Sequence, residues 1–393
     1  MTMRLAVVTS HPVQYYAPLF RALAREVDLT VFYGYQPQPS DQAEAGFGVG
    51  FEWDVDLTDG YRAQWLDNRA RQPGLAGFSG ISTPEIGQRL RAGSFDAVLL
   101  IGWHKKFLLQ ALFAAKRIGL PVLMRGDSHL QTPRSRLKRL AKELAYPVFL
   151  RQFDAALAVG MMNRDYWQHY HFPAARIFAS PHCVDTAWFA ERATTAARLE
   201  LRAQLGIAPD APVVLFAGKL VEIKQPLQLV EAAARVRSSG VGAELLVAGD
   251  GPLRQAVAAH SSALGLRLHM LGFCNQTQMP AAYAAADVLA LPSKQESWGL
   301  VANEALACGT PAIVADSVGC APDLVRLFGD QVIFASGQID SLVARLGAVL
   351  HCPPSPEVIA AANRAFSLSS AVTGIIAAMA SLTEPGVEVE DLG

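Results

Sequence analysis

Short runs of β-branched residues and leucine alternate along the chain with longer Ala/Leu/Arg stretches whose apolar residues recur at helical spacing. That alternation calls for parallel strands joined by crossover helices, an α/β architecture. The first half holds candidate strands at Leu5–Thr9, Leu29–Tyr33, Ala97–Ile101, Pro121–Met124, Ala155–Val159 and Arg176–Ala179. The second half holds them at Val213–Ala217, Glu244–Ala248, Leu268–Leu271, Val288–Leu291, Ala312–Ala315 and Val332–Ala335. These runs are continuously apolar, as strands buried on both faces are. At roughly 100–200 residues per domain, 393 residues make two domains. The reading places them at 1–190 and 210–365, with the Ala/Arg-rich stretch Ala190–Pro212 as a short helix and an interdomain connection. A last helix, about 366–383, carries Ala371, Val372, Ile375, Ile376 and Met379 at helical spacing and needs a surface to pack on. The tail after Pro385 reads as frayed.

Composition narrows the function. Apolar residues are 51% and charged ones 18%, with 34 Lys+Arg against 35 Asp+Glu, so disorder and a dedicated nucleic-acid binder are both excluded. Five scattered cysteines without a CxxC pair argue against a disulfide framework or a structural zinc site. The apolar run at Leu5–Thr9 is too short for a signal peptide, and no stretch approaches the ~18–20 continuous apolar residues of a membrane span. The expectation is a cytoplasmic protein, at most in contact with the inner face of the cell membrane.

Ligands of open parallel sheets bind beyond the carboxyl ends of the strands. Unusual polar residues gather there. His11 follows the first strand, Trp103-His104-Lys105-Lys106 the third, and Arg125-Gly-Asp127-Ser-His129 the fourth. In the second half Lys219, Asp250-Gly251 and Lys294-Gln-Glu296 do the same. The pattern implies two sheet faces meeting across a cleft.

One stretch, Leu289 to Gly309, is the most informative. A strand ends at Pro292, a polar loop follows, and a helix begins near Gly299 with free N–H groups that suit an anion such as a diphosphate. Glu296 in the loop and Glu304 in the helix can accept hydrogen bonds from two separate sets of hydroxyls, as on a sugar and a ribose. Taken alone, this Glu-x7-Glu is also what a cap and a surface helix residue would give. Lys219 and Lys224 after an earlier strand could neutralise a diphosphate without a metal. Gly249-Asp-Gly251-Pro252 is a tight turn that lets backbone approach a ligand.

Lys219-x4-Lys224, Gly249-Asp-Gly-Pro252, Leu271-Gly-Phe273, Ala286-Asp-Val288 and Pro292-Ser…Glu296-x7-Glu304 together resemble the donor half of the family-4 retaining glycosyltransferases of GT-B fold. The first half resembles a bacterial branch of that family, through Ser10-His-Pro-Val-Gln-Tyr-Tyr-Ala-Pro-Leu-Phe20, Trp53-Asp-Val-Asp-Leu57, Arg125-Gly-Asp-Ser-His129 and Pro181-His-Cys-Val-Asp185. The resemblance implies two Rossmann-like domains, the last helix crossing back to the first, and hexosyl transfer from a nucleotide sugar, UDP- rather than GDP-linked, without cofactor or metal. It assigns Lys219 and Lys224 to the donor diphosphate and Glu304 to the ribose. Glu296, with the backbone amides at Trp298, Gly299 and Leu300, falls to the transferred sugar, and Phe273 and Cys274 to the base. Gly249 and Gly251 complete the donor set. Glu296, Lys224, Asp127 and His129 are the catalytic candidates; His11, Trp103, His104, Lys105 and Lys106 are those of the acceptor side. The acceptor implied is a saccharide or lipid-linked saccharide of a bacterial surface polysaccharide. The family's usual Arg at position 219 is here Lys, a point charge in place of a bidentate one, and its Gly-Gly pair is replaced by Ser10-His-Pro12.

Asp54-Val-Asp56 could be a metal-binding DxD but reads as scaffold of the acceptor domain. Arg134, Arg136, Lys138, Arg139 and Lys142 could set a helix on anionic lipid, with Leu137, Leu140, Ala141 and Leu144 on one face and Arg134, Lys138 and Lys142 on another; an ordinary surface helix has the same pattern. The rival functions are a nucleotide-sugar epimerase or phosphorylase, and a catalytically silent nucleotide-sugar-binding protein.

Overall fold

The computed structural model describes residues 2–42 and 50–383; the tail after Pro385 lies outside the described residues. Thirteen strands are found among them. In chain order they are β1 (Arg4–Thr9), β2 (Asp28–Tyr33), β3 (Arg62–Trp65), β4 (Ala97–Ile101), β5 (Val122–Gly126), β6 (Ala155–Ala158), β7 (Ile177–Ala179), β8 (Val213–Ala217), β9 (Glu244–Ala248), β10 (Leu268–Gly272), β11 (Val288–Leu291), β12 (Ala312–Ala315) and β13 (Ile333–Phe334). β3 is absent from the sequence reading because Arg-Ala-Gln-Trp is a polar edge strand with none of the apolar continuity of its neighbours.

Two compact units result. The first comprises Met1–Asp41, Asp56–His182 and Leu368–Gly393; the second comprises Gln42–Val55 and Cys183–Ser367. The first unit's sheet has the order β3-β2-β1-β4-β5-β6-β7, the second's β10-β9-β8-β11-β12-β13, and neighbouring strands are parallel throughout. Each order reverses once, between β1 and β4 and between β8 and β11. Each unit is thus a Rossmann-like doubly wound sheet with a crevice at its own switch point.

The boundary differs from the sequence reading. The helix expected within Ala190–Pro212 is present, but the stretch does not connect the units: Thr186–Arg192 and Thr195–Leu205 are both helices of the second unit. Arg198 and Arg202 anchor the latter helix by donating to the two carboxylate oxygens of Asp287, at 2.7 and 2.8 Å, and Arg202 also caps the carbonyls of Ala285, Ala208, Pro209 and Ala211. Residues 50–55 likewise belong to the second unit rather than the first.

The helical stretch Pro356–Leu382 is long and apolar enough to cross a membrane by length and composition, which corrects the expectation that no such stretch exists. It is broken at Phe366 and Ser367, and its halves, Pro356–Ala365 and Leu368–Thr383, pack in different units. In the latter half Ala371, Ile375, Ala378 and Met379 are buried against the helix Tyr16–Leu23 and strands β6 and β7, and Ser180 Oγ donates to the Ala371 carbonyl at 3.0 Å. This apolar face belongs to the core of the first unit.

Candidate functional site

In the second unit the switch point brings the loops after β8 and β11 together. The Lys294 N–H donates to the Ile223 carbonyl at 2.9 Å, which ties the β11 loop to the short turn Glu222–Lys224. That tie sets Lys224 Nζ against Glu296 Oε2 in an ion pair. Burial, and then the charge of Lys219, lower the Lys224 ammonium to about 8, which still leaves it a cation at neutral pH. Burial lowers Lys219 as well. Two partly desolvated cations beside one carboxylate leave a net positive charge in a site poor in water, where an anion gains most.

The helix Leu300–Ala307 starts at the same place. Gly299 precedes it at φ 101°, and a Cβ there would stand 2.8 Å from Leu291 Cδ2 and 2.9 Å from Val318 Cγ1, so glycine alone fits. Its neighbour Trp298 is 3% exposed; the indole donates to Asn303 Oδ1 at 3.0 Å and packs edge-on to Phe366. Only the backbone of Trp298 can serve a ligand. Gly249 has a packing role that the sequence reading missed: a Cβ on it would lie 1.8 Å from the Gly218 carbonyl oxygen. Its lack of a side chain lets the loops after β8 and β9 touch, and a Cβ on Gly251 would lie 2.7 Å from the Leu220 carbonyl oxygen. Asp250 is held by Arg254 at 2.6 Å.

Glu304 is half-buried as a residue, with its carboxyl deep. Tyr283, fully buried, donates its hydroxyl to Glu304 Oε2 at 2.5 Å. Burial nonetheless pushes the carboxyl up to about 7, against the lowering effect of that hydrogen bond. Tyr283 escaped the sequence reading; its one signal is a hydroxyl-bearing ring in the otherwise small-residue run Pro280-Ala-Ala-Tyr-Ala-Ala-Ala286.

After β10, Phe273 packs on Phe51 with ring centroids 4.2 Å apart, and Phe51 in turn meets Trp53 edge-on. Asn275 donates to the Glu52 carbonyl at 2.7 Å, while the backbone N–H and hydroxyl of Thr277 donate to Asp54. Asp54 is therefore scaffold of the second unit, a correction to its assignment to the acceptor domain. Asp56 instead accepts from Thr58 and Asp59. The two aspartates of the DxD are held by different partners. Burial raises the Cys274 thiol to about 11, and none of the five cysteines is in a disulfide.

In the first unit, the carboxyl ends of β1, β4, β5 and β7 gather His11, His104, Asp127, His129 and His182. Burial drives His11 to about 4 and His182 to about 3 and lowers His129, so these imidazoles are neutral at pH 7. The Asp127 charge acts on Tyr15, His104, His129 and His182 alike. His11 Nδ1 lies 2.8 Å from Ser10 Oγ, and His129 is buried with Nδ1 unbonded among the described residues. His182 and Tyr15, which lie in the motifs quoted above but received no site role there, stand in this group with rings 6.1 Å apart.

Two acceptor-side candidates fall away. Lys105 is buried and donates to the carbonyls of Leu75 and Gly77, pinning that loop. Trp103 packs among Tyr146, Phe149, Phe153, Tyr166 and Trp167 beside the hydrophobic core. Lys106 is exposed at the start of its helix.

Residues 197–366 match the family model described as glycosyl transferases group 1. D-inositol 3-phosphate glycosyltransferase of Segniliparus rotundus is 33% identical over 220 residues, 53% of this chain and 48% of that one. GDP-mannose-dependent alpha-(1-6)-phosphatidylinositol monomannoside mannosyltransferase of Mycolicibacterium smegmatis is 28% identical over 62% of this chain and 63% of that one. The chain thus aligns with about half the length of the first of these relatives. Anabaena HepE, in a crystal structure with UDP and glucose, shares the fold over 96% of this chain and 100% of its own, with a TM-score of 0.70 at 17% identity.

Proposed function

We propose that the chain, whose residues 197–366 match the group 1 glycosyltransferase model, transfers a sugar from a nucleotide sugar to a hydroxyl of a saccharide or lipid-linked saccharide, in bacterial surface polysaccharide synthesis. One observation carries the reading: Lys219, the Lys224–Glu296 pair and the start of the helix Leu300–Ala307 share the switch point of the second sheet. Lysines and helix amides hold the diphosphate and stabilise the charge it gains as the sugar C1–O bond breaks. The departing diphosphate oxygen takes the proton of the acceptor hydroxyl, whose oxygen bonds to C1 on the same face, so configuration is retained. The lysines supply the positive charge a metal would otherwise bring. Glu296 addresses the sugar and Glu304 the ribose. Phe51 against Phe273 crowds the loop assigned to the base, which suits the single ring of uracil over guanine. In the first unit, Asp127 among neutral imidazoles suits an acceptor that offers hydroxyls.

The test follows a labelled UDP-sugar with and without acceptor. Lys219→Ala and Lys224→Ala each remove a charge-assisted contact of about 1.5–3 kcal/mol and lower donor turnover about 10–150-fold. Glu296→Ala lowers turnover and leaves affinity for the free nucleotide diphosphate unchanged. EDTA leaves activity intact. Activity lost on chelation and restored by Mn²⁺ refutes the metal-free mechanism, and epimerised UDP-sugar in place of hydrolysis or transfer refutes the reaction class.

A further inference from the structure

The helix Arg136–Leu150 of the first unit turns its apolar stripe outward. Leu137, Leu140, Leu144 and Val148 are 77%, 58%, 73% and 67% exposed. At about 100° per residue these four fall within about 80° of one another around the helix. The residues that attach the helix to the fold lie on the opposite side: Leu150 is fully buried, and Tyr146 and Phe149 pack on the core. A helix of a water-exposed surface buries its apolar stripe and shows its polar one; this helix does the reverse.

Its charges frame the stripe. Arg136 and Lys138 project about 100° to either side of Leu137, and both are exposed, as is Arg139. Lys142 departs from the sequence reading, which put it on one helical face with Arg134 and Lys138. Its ammonium is drawn inward, 4.2 Å from the Tyr146 ring centroid, and donates to the Tyr166 hydroxyl at 2.9 Å. Beside the start of the helix opens a cavity of about 390 Å³ whose walls include Arg134, Arg139, Lys142, Glu143, His169 and Tyr170. Glu143, the one carboxylate there, lies 3.0 Å from His169 Nε2. Three cations therefore face that space against one carboxylate already engaged.

We infer that this helix docks on an anionic phospholipid bilayer, its leucines entering the boundary between headgroups and acyl chains and the adjacent cavity seating a phosphate-bearing headgroup. Charge complementarity selects that partner: an apolar ridge edged by cations on both sides matches the layering of an anionic membrane, whose phosphates lie just above its hydrocarbon. The inference goes beyond the donor chemistry and stands independently of it.

The test is co-sedimentation of the full chain with vesicles of phosphatidylcholine alone and of phosphatidylcholine with phosphatidylglycerol, across a salt series. Wild type pellets with the anionic vesicles at low salt and is released as salt rises. Arg136→Gln/Lys138→Gln/Arg139→Gln lowers partitioning about 100-fold, at about fivefold per charge. Leu137→Gln/Leu140→Gln/Leu144→Gln lowers it more than tenfold; these side chains are exposed, so folding is spared. Hydrolysis of UDP-sugar by both variants equals that of wild type, which separates a failure here from a failure of the donor reading. Equal pelleting on neutral and anionic vesicles, or pelleting unchanged in either variant, overturns the inference. So does a concentration-dependent dimer abolished by the leucine changes, since the stripe's occupant would then be a second copy of the chain.

Discussion

Glu304→Gln separates what the site costs from what it does. The unfolded chain releases this proton near the ordinary value of 4.5, whereas the folded protein holds it until about 7. Between those values the folded state binds more protons than the unfolded one, so Glu304's contribution to stability is full below pH 4.5 and is lost as pH rises through 7. At about 1.4 kcal/mol per tenfold, the loss has a ceiling of about 3 kcal/mol. Residual exposure of the side chain reduces it to about 1–3 kcal/mol. Glutamine keeps the shape and can accept the Tyr283 hydroxyl, but it cannot ionise. The difference in urea-unfolding free energy between Glu304→Gln and wild type is therefore expected to move in the variant's favour by about 1–3 kcal/mol from pH 5 to pH 8. A difference that is flat or shrinks over that range refutes the buried, late-ionising carboxylate. A second readout follows from the ribose assignment: two hydroxyls donating to the ionised carboxylate draw its pKa back down, so nucleotide binding near pH 6.5 releases protons in wild type and not in the variant. Calorimetry in buffers of different ionisation enthalpy measures that release, and equal release by both proteins removes Glu304 from the ribose.

Two further substitutions probe the scaffold of the second unit. Gly249→Ala forces apart loops that a Cβ would bring to 1.8 Å, which is expected to cost about 1–3 kcal/mol of stability and to weaken nucleotide binding; a variant with wild-type affinity by calorimetry shows that the two loops need not touch. Asp287→Asn strands the fully buried Arg202 and the half-buried Arg198, with an expected loss of about 3–5 kcal/mol in urea unfolding, and a loss below about 1 kcal/mol shows that the backbone carbonyls alone hold the helix Thr195–Leu205.

The alternation of strand and helix, the two sheets and the donor-side motifs were legible in the sequence because each rests on local order. A doubly buried strand must be continuously apolar, a helix must repeat its apolar face, and glycines and lysines stand at fixed distances from strand ends. β3 was illegible because an edge strand needs no apolar run. What only the tertiary structure decided was the spending of polar groups. Lys105 and Lys106 are neighbours with the same charge, yet one is consumed by two carbonyls and the other faces water. Asp54 and Asp56 are two residues apart and hold different segments. Arg198 and Arg202 fix the helix of the expected interdomain connection within the second unit through Asp287, more than eighty residues away. The leucines of Arg136–Leu150 have the spacing of a core helix and face outward because Tyr146, Phe149 and Leu150 claim the inner side. A charge or an apolar stripe declares in sequence what it can bind; which partner it meets depends on contacts between distant segments, and those exist only once the chain has folded.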